Sequence, residues 1–139
     1  EQWVERLQPL AEEKNIRMLC DLQDQTTAKV DIAIFERIIV NLIQNAIDFT
    51  PANGAITVRL TQSSIKLVLQ VCDSGPGIPE QYKQQVFERF VRLDATRHQV
   101  RGAGLGLAIV KWAVDMHKGS VTITDNRPSG TCFQVEMSA

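Results

Sequence analysis

The chain has 139 residues, 44% of them hydrophobic, and a formal net charge of −1. That length fits one domain spanning residues 1–139, and that apolar content supports a core. The near-neutral charge excludes a global attraction to nucleic acid or to an anionic membrane surface, and no apolar run approaches the roughly 18 residues that a membrane-spanning helix needs. The opening Glu1-Gln-Trp-Val-Glu-Arg6 is amphipathic and does not read as a signal peptide.

Residues 3–14 read as a helix with Val4, Leu7, Leu10 and Ala11 on one stripe. Residues 16–22 alternate apolar and polar, as in a half-buried strand. Asp31 is the expected N-cap of a long helix to Phe49, with Phe35, Ile39, Leu42 and Ala46 inward and Ile38, Ile43 and Ile47 widening that stripe. Pro51 and Gly54 end it. Residues 56–60 and 65–71 are expected strands around the polar turn at 61–64. Pro79 suits the first position of a short helix over 79–86. Residues 93–102 are polar, charged and without period, the pattern of a mobile loop. Residues 105–116 are expected to be helical, with Leu105, Ala108, Ile109, Trp112 and Met116 inward. Residues 121–124 and 131–135 form a hairpin bending at Pro128-Ser-Gly130. The set implies an α/β two-layer sandwich: a mixed, mostly antiparallel sheet of about five strands with about three helices on one face. Cys20, Cys72 and Cys132 are odd in number and lack metal-ligand spacing; they read as buried, reduced thiols.

Four segments carry chemistry. Asn41, Asn45 and Asp48 are spaced i, i+4, i+7 and share one helix face, away from the apolar stripe. A solvated face is one reading of them. The other is a cation held against a ligand's phosphates, since Mg²⁺ prefers hard oxygen ligands, few of them from protein. Asp73-Ser-Gly75-Pro-Gly77 follows a strand directly, which suits an ordinary turn or a close backbone approach to a ligand. Phe87-Glu-Arg-Phe90 places two aromatics three apart. Gly102-Ala-Gly104-Leu-Gly106-Leu107 opens a helix, where free N–H groups and the dipole favour phosphate. The polar stretch before it excludes a dinucleotide-binding fingerprint, and no P-loop sequence is present.

In this order and spacing the four segments resemble the N, G1, F and G2 boxes of the ATP-binding domain of sensor histidine kinases. That domain belongs to the superfamily of DNA gyrase, the heat-shock chaperone ATPases and the mismatch-repair ATPases. The resemblance covers nearly the whole chain and implies a Bergerat-type ATP-binding fold. It implies Asn45 as the Mg²⁺ ligand and Asp73 as acceptor for the exocyclic amine of adenine. Gly75 and Gly77 would let backbone approach the base, Ile78 would form an apolar floor, and Phe49 would cover the adenine. Arg101, Gly102, Gly104, Leu105, Gly106 and Leu107 would form the lid and helix start that hold the triphosphate, with Arg97 in reach. Thr131 would approach the adenine side. Hydrolysing relatives place a water-activating Glu where Asn41 stands, and Asn cannot act as a general base. Asp48 departs from the Lys or Arg frequent at its position; it is either a partner of the metal or turned away. Neither His98 nor His117 has the setting of the family's phosphorylated histidine.

The resemblance implies a domain that binds Mg·ATP and transfers the γ-phosphoryl group to a histidine on a dimerisation helix elsewhere. Residues 1–14 would be the connection from that phosphoacceptor domain. Implied partners are ATP, the phosphoacceptor domain and, through the parent protein, a response regulator, with no nucleic acid and no direct membrane contact. The domain would be cytoplasmic and the parent in a bacterial inner membrane. Two alternatives are an anti-sigma-type Ser/Thr kinase, which would carry an acid at Asn41 and lack Phe87-Glu-Arg-Phe90, and a nucleotide-gated interaction module without kinase activity.

Overall fold

Three stretches with apolar residues every three or four positions are helices in the computed structural model, which describes residues 2–22, 32–62, 66–78, 80–83, 106–127 and 129–138. They are α1 (Gln2–Glu13), α2 (Ile32–Phe49) and α3 (Gly106–Met116). Five alternating stretches are strands: β1 (Arg17–Leu22), β2 (Ala55–Gln62), β3 (Lys66–Asp73), β4 (Ser120–Asp125) and β5 (Thr131–Ser138). They form one sheet in the order β1-β2-β3-β5-β4. β1 pairs with β2 in parallel and all other neighbours are antiparallel. The parallel pair is possible because α2 supplies the long crossover between its strands. The expected two-layer sandwich with a mixed sheet is the fold observed.

The core lies between the helices and one face of the sheet. α2 contributes Ile38, Ile39, Leu42, Ile43, Ala46 and Ile47, all buried. They meet Ile56 and Val58 of β2, Leu69 and Val71 of β3, and Phe133 and Val135 of β5. Each fully buried side chain of this kind contributes roughly 1.5–3 kcal/mol. α1 adds Leu7 and Ala11 from the expected stripe, with Leu10 partly buried.

Three expectations are corrected. In α3 the buried side chains are Val110, Ala113 and Val114, whereas Trp112 and Met116 are more than half exposed and Ala108 and Ile109 lie between these extremes. The helix is apolar on several sides, so its periodicity allows more than one inward face. Small residues win because α3 packs closely against α2. Of the expected helix over 79–86, the described residues 80–83 form a 3₁₀ turn at Glu80–Tyr82 in place of an α-helical start, and Pro79 and residues 84–86 lie outside the described residues. The cysteines are not three buried thiols. Cys20 is exposed, and Cys72 and Cys132 form a disulfide between β3 and β5. They stand 60 positions apart in sequence, and only the strand register makes them direct partners.

The links between elements fix the end of α2. That helix has no basic residue in its last turn. The Lys14 ammonium from the end of α1 fills the role instead, donating to the carbonyls of Ile47 at 2.8 Å and Asp48 at 3.0 Å. Asn15 follows in the left-handed region, φ 62°, and its carbonyl accepts from the Asn53 N–H at 2.9 Å. The expected N-cap Asp31 and the side chain of Val4 lie outside the described residues. Lys14→Met keeps the aliphatic stem and removes the capping charge. It is expected to lower unfolding free energy by about 1 kcal/mol, read as a lower urea midpoint at unchanged slope.

Candidate functional site

β3 is the central strand, and its last residue, Asp73, is buried at 5% exposure. Its Oδ1 accepts the Gly75 N–H at 2.9 Å and the Thr131 N–H at 3.3 Å. Its main-chain carbonyl accepts from Asn126 Nδ2 at 2.7 Å. Burial pushes the carboxyl above its ordinary value of 3.8, and the two N–H donors partly offset that rise. Among the described residues the hydrogen bonds to this carboxylate all fall on Oδ1, so its second oxygen keeps its acceptor capacity.

Close backbone approaches draw three segments to this point. A Cβ at Gly75 would lie 2.6 Å from the carbonyl oxygen of Phe49, so the Asp73–Gly77 turn packs against the last residue of α2. Gly130 has φ 114°, and a Cβ there would overlap the carbonyl of Asp73. No other residue type fits that position, and Thr131 follows it directly. Gly77 neighbours Gly130, and Ile78 is partly buried against the core. Phe49, Asp73, Gly75, Gly77 and Thr131 are therefore gathered in one place, with Ile78 next in the turn.

The polar stripe of α2 leads away from that point. Asn45 and Asn41 lie about 6 Å and about 12 Å back along the helix from Phe49. Both are half-buried, as is Asp48. The Asn41 Nδ2 donates to the Arg37 carbonyl at 2.7 Å. The Asn45 side chain has no hydrogen bond among the described residues. It offers one neutral, hard, partly exposed oxygen, which suits a cation that takes its other ligands from phosphate and water. Among the described residues no group of three or more His, Cys, Asp or Glu is placed to hold a metal. Gly106 begins α3, and Leu107 is partly buried on the core. Arg97, His98, Arg101, Gly102, Gly104, Leu105, Phe87 to Phe90 and the lid over 93–102 lie outside the described residues. His117 caps α3, its ring Nδ1 lying 3.1 Å from the Ala113 carbonyl.

Sequence reasoning missed Asn126 and Ser74. Ser74 Oγ accepts the Ala55 N–H at 2.9 Å and its own N–H donates to the Ala55 carbonyl, holding the turn against β2. An Asn two residues ahead of Pro128 is an ordinary turn signal, and nothing in its spacing points 53 residues back to Asp73.

Residues 30–139 match the family described as histidine kinase-, DNA gyrase B- and HSP90-like ATPase. Over 92% of its length the chain is 40% identical to the sensor histidine kinase TmoS of Ectopseudomonas mendocina, of which it covers 13%. Over 94% it is 36% identical to the adaptive-response sensory kinase SasA of Crocosphaera subtropica, covering 34%. The chain thus spans only 13% and 34% of the length of these curated relatives. Among solved structures it resembles the mycobacterial sensor histidine kinase MprB, with TM-score 0.82 and 31% identity over 99% of this chain and 93% of that one. Full-length ShkA in complex with AMPPNP gives TM-score 0.85 and 30% identity over 99% of this chain and 29% of that one. Histidine kinase ThkA in complex with the response regulator TrrA gives 0.81 and 27%, over 99% and 38%. The buried acid at the end of β3, the glycines packed around it and the asparagine-bearing helix beside it thus stand in a chain that belongs to the histidine kinase-, DNA gyrase B- and HSP90-like ATPase family, alongside the ATP-binding domains of sensor histidine kinases.

Proposed function

We propose that this chain binds Mg·ATP and transfers the γ-phosphoryl group to a histidine of a phosphoacceptor domain outside these 139 residues, within a two-component signalling kinase. The observation that carries the reading is Asp73: a buried carboxylate with one oxygen fixed by two backbone N–H groups and the other left to receive the adenine amine. A carboxylate there accepts from adenine and opposes the carbonyl of guanine. Phe49 and Ile78 supply apolar surface to the base, and Gly75 and Gly77 admit it. The helix start at Gly106 and Leu107 offers free N–H groups to the phosphates, and the resemblance assigns Arg101, Gly102, Gly104 and Leu105, just before it in sequence, to the same task. Thr131 closes the adenine side.

Asn45 would hold Mg²⁺, which neutralises phosphate charge when bound. Asn41 cannot take a proton from water, so the γ-phosphoryl group is kept for the acceptor imidazole. Asp48, on the same helix face, is either a partner of the metal or turned away from the phosphates, which its carboxylate would otherwise repel. α1 is the connection to the phosphoacceptor domain. The response regulator engages the parent protein, as TrrA does ThkA. No helix among the described residues is long and apolar enough to cross a membrane. We place the domain on the cytoplasmic side of a parent held in a bacterial inner membrane.

Incubation with labelled ATP and candidate phosphoacceptor domains tests the activity. Acid-labile phosphohistidine is expected. Acid-stable phosphoserine would make the chain an anti-sigma-type kinase, and no transfer despite ATP binding would make it an interaction module.

Asp73→Asn can still accept from Gly75 and Thr131 but loses the charge-assisted contact to adenine. ATP affinity is expected to fall about tenfold or more by calorimetry. The fold should persist. Burial raises the folded-state pKa of Asp73, so its ionisation costs stability once pH rises above the unfolded value, and Asn carries no such cost. The variant should therefore be at least as stable as the parent at neutral pH. In the parent, ATP affinity should drop as pH falls through the raised pKa, above the ordinary carboxylate value of 3.8, and this dependence should be absent in the variant.

Asn45→Ala should bind nucleotide equally with Mg²⁺ and with EDTA, whereas the parent binds more tightly with Mg²⁺. Phosphate release by the unmodified domain should be very slow. Asn41→Glu is expected to raise it, because a general base then stands where hydrolysing relatives carry one. Fast release that Asp48→Asn abolishes would instead identify an ATPase with its base at Asp48.

A further inference from the structure

Residues alternate faces along a strand, so neighbours in sequence lie on opposite sides of the sheet. On the helix side, Asp73 and Thr131 meet at the end of the β3–β5 ladder through the bond from the Thr131 N–H to the Asp73 carboxylate. One residue away, Cys72 and Cys132 are direct partners on the other face, with Cα atoms 4.1 Å apart. Farther along that face the same strands are joined by Gln70 Nε2 donating to Gln134 Oε1 at 2.9 Å and by the Lys66–Glu136 ion pair at 3.8 Å. The sulfur pair is thus the rung of this ladder that stands next to the acid and threonine of the site. Cys72 is half-buried and Cys132 is buried, so Cys72 is the sulfur that a reagent approaching from that face meets. Cys20 lies apart on β1, and desolvation raises its thiol pKa.

We propose that Cys72 and Cys132 form a reversible redox modification site whose oxidation locks the strands carrying Asp73 and Thr131 and thereby tightens nucleotide binding. The coupling rests on the ATP-site reading above. The oxidant is a small-molecule disulfide such as oxidised glutathione. One cysteine thiolate attacks it, forming a mixed disulfide and expelling one glutathione thiolate. The second cysteine thiolate attacks the protein-side sulfur, closing the Cys72–Cys132 bond and expelling the second. The pair loses two electrons and two protons, and one oxidised glutathione becomes two glutathione thiols. In the dithiol form the two sulfurs must separate to van der Waals distance, so side chains or strands shift at the rung beside Asp73 and Thr131. In the disulfide form that freedom is removed, and the cradle for adenine is organised before nucleotide arrives.

The domain, in a Cys20→Ser background to prevent exchange with the third thiol, is equilibrated in buffers from fully reduced to fully oxidised glutathione. Free thiols are then alkylated and counted by mass spectrometry. The expected result is one two-electron step in which both remaining thiols disappear without added glutathione mass. Calorimetry on the end states should show Mg·ATP bound about threefold or more tightly by the disulfide form, and its Tm should be higher by roughly 5–15 °C. Cys72→Ser should bind ATP equally in both buffers; should it fold poorly, the same comparison is made with Cys132→Ala. Persistent free thiols in oxidised buffer, or a stable glutathione adduct, overturn the redox site. A disulfide form that binds ATP less than twofold more tightly than the dithiol form, or more weakly, overturns the coupling while leaving the ATP site standing. Absence of binding in both forms overturns the ATP site and the coupling with it.

Discussion

A carboxylate buried at the end of the central strand constrains everything around it. Left alone, Asp73 would be driven toward its neutral form, because desolvation disfavours the charge. Two N–H donors counter that tendency, and they come from different parts of the chain, Gly75 in the following turn and Thr131 at the start of β5. Both must arrive together, so β3 and β5 must be neighbours in the register observed. The Asn126 bond to the Asp73 carbonyl adds a third tie, bringing in the β4–β5 connection. Gly130 follows from the same demand, since the chain passes so close to Asp73 that a side chain has no room. An acid held this way is positioned without the usual freedom of a surface side chain.

α2 is the second constraint. One helix presents a buried apolar stripe to the sheet and a polar stripe of asparagines along another face. The burial fixes its rotation, and the rotation aims the asparagines. Its axial position is fixed at the C-terminal end. Lys14 holds the last carbonyls, and Gly75 lets the Asp73 turn close against Phe49. The end of α1 and the Asp73–Gly77 turn thus grip the same helix end from two directions. Movement of α1 would be felt at the carbonyls of Ile47 and Asp48, which Lys14 holds.

Elements with strong period were legible in the sequence. The stripe of α2 and the alternation of β2, β3 and β5 left one arrangement that buries their apolar residues. Among the candidate site residues, the glycines of the Asp73 turn and the asparagines on an otherwise apolar helix were marked by local chemistry. What could not be read depends on partners distant in sequence. Lys14 is an ordinary surface lysine until α2 ends beside it. Asn126 is an ordinary turn residue until β5 brings it to Asp73. The inward face of α3 was misread because Trp112 and Met116 are large and apolar, yet the tight packing against α2 admits Val110, Ala113 and Val114. The cysteines were misread for the same reason as Asn126: their odd count and wide spacing conceal a pairing that only register reveals.

The β3–β5 ladder shows how one strand pair can carry two kinds of chemistry. Its helix-side face holds hydrocarbon along most of its length and ends in Asp73 and Thr131. Its other face runs from an exposed ion pair through an amide pair to the sulfur pair. The ion pair and the amide pair are non-covalent and tolerate small changes in strand separation. The sulfur pair does not tolerate them once bonded, and it stands at the end where the Thr131 N–H meets the carboxylate at 3.3 Å. Because the two faces share one backbone, a bond made on the open side acts on hydrogen-bond geometry on the buried side. No contact through the core is required for that coupling; the peptide units joining residues 72 to 73 and 131 to 132 are the whole path.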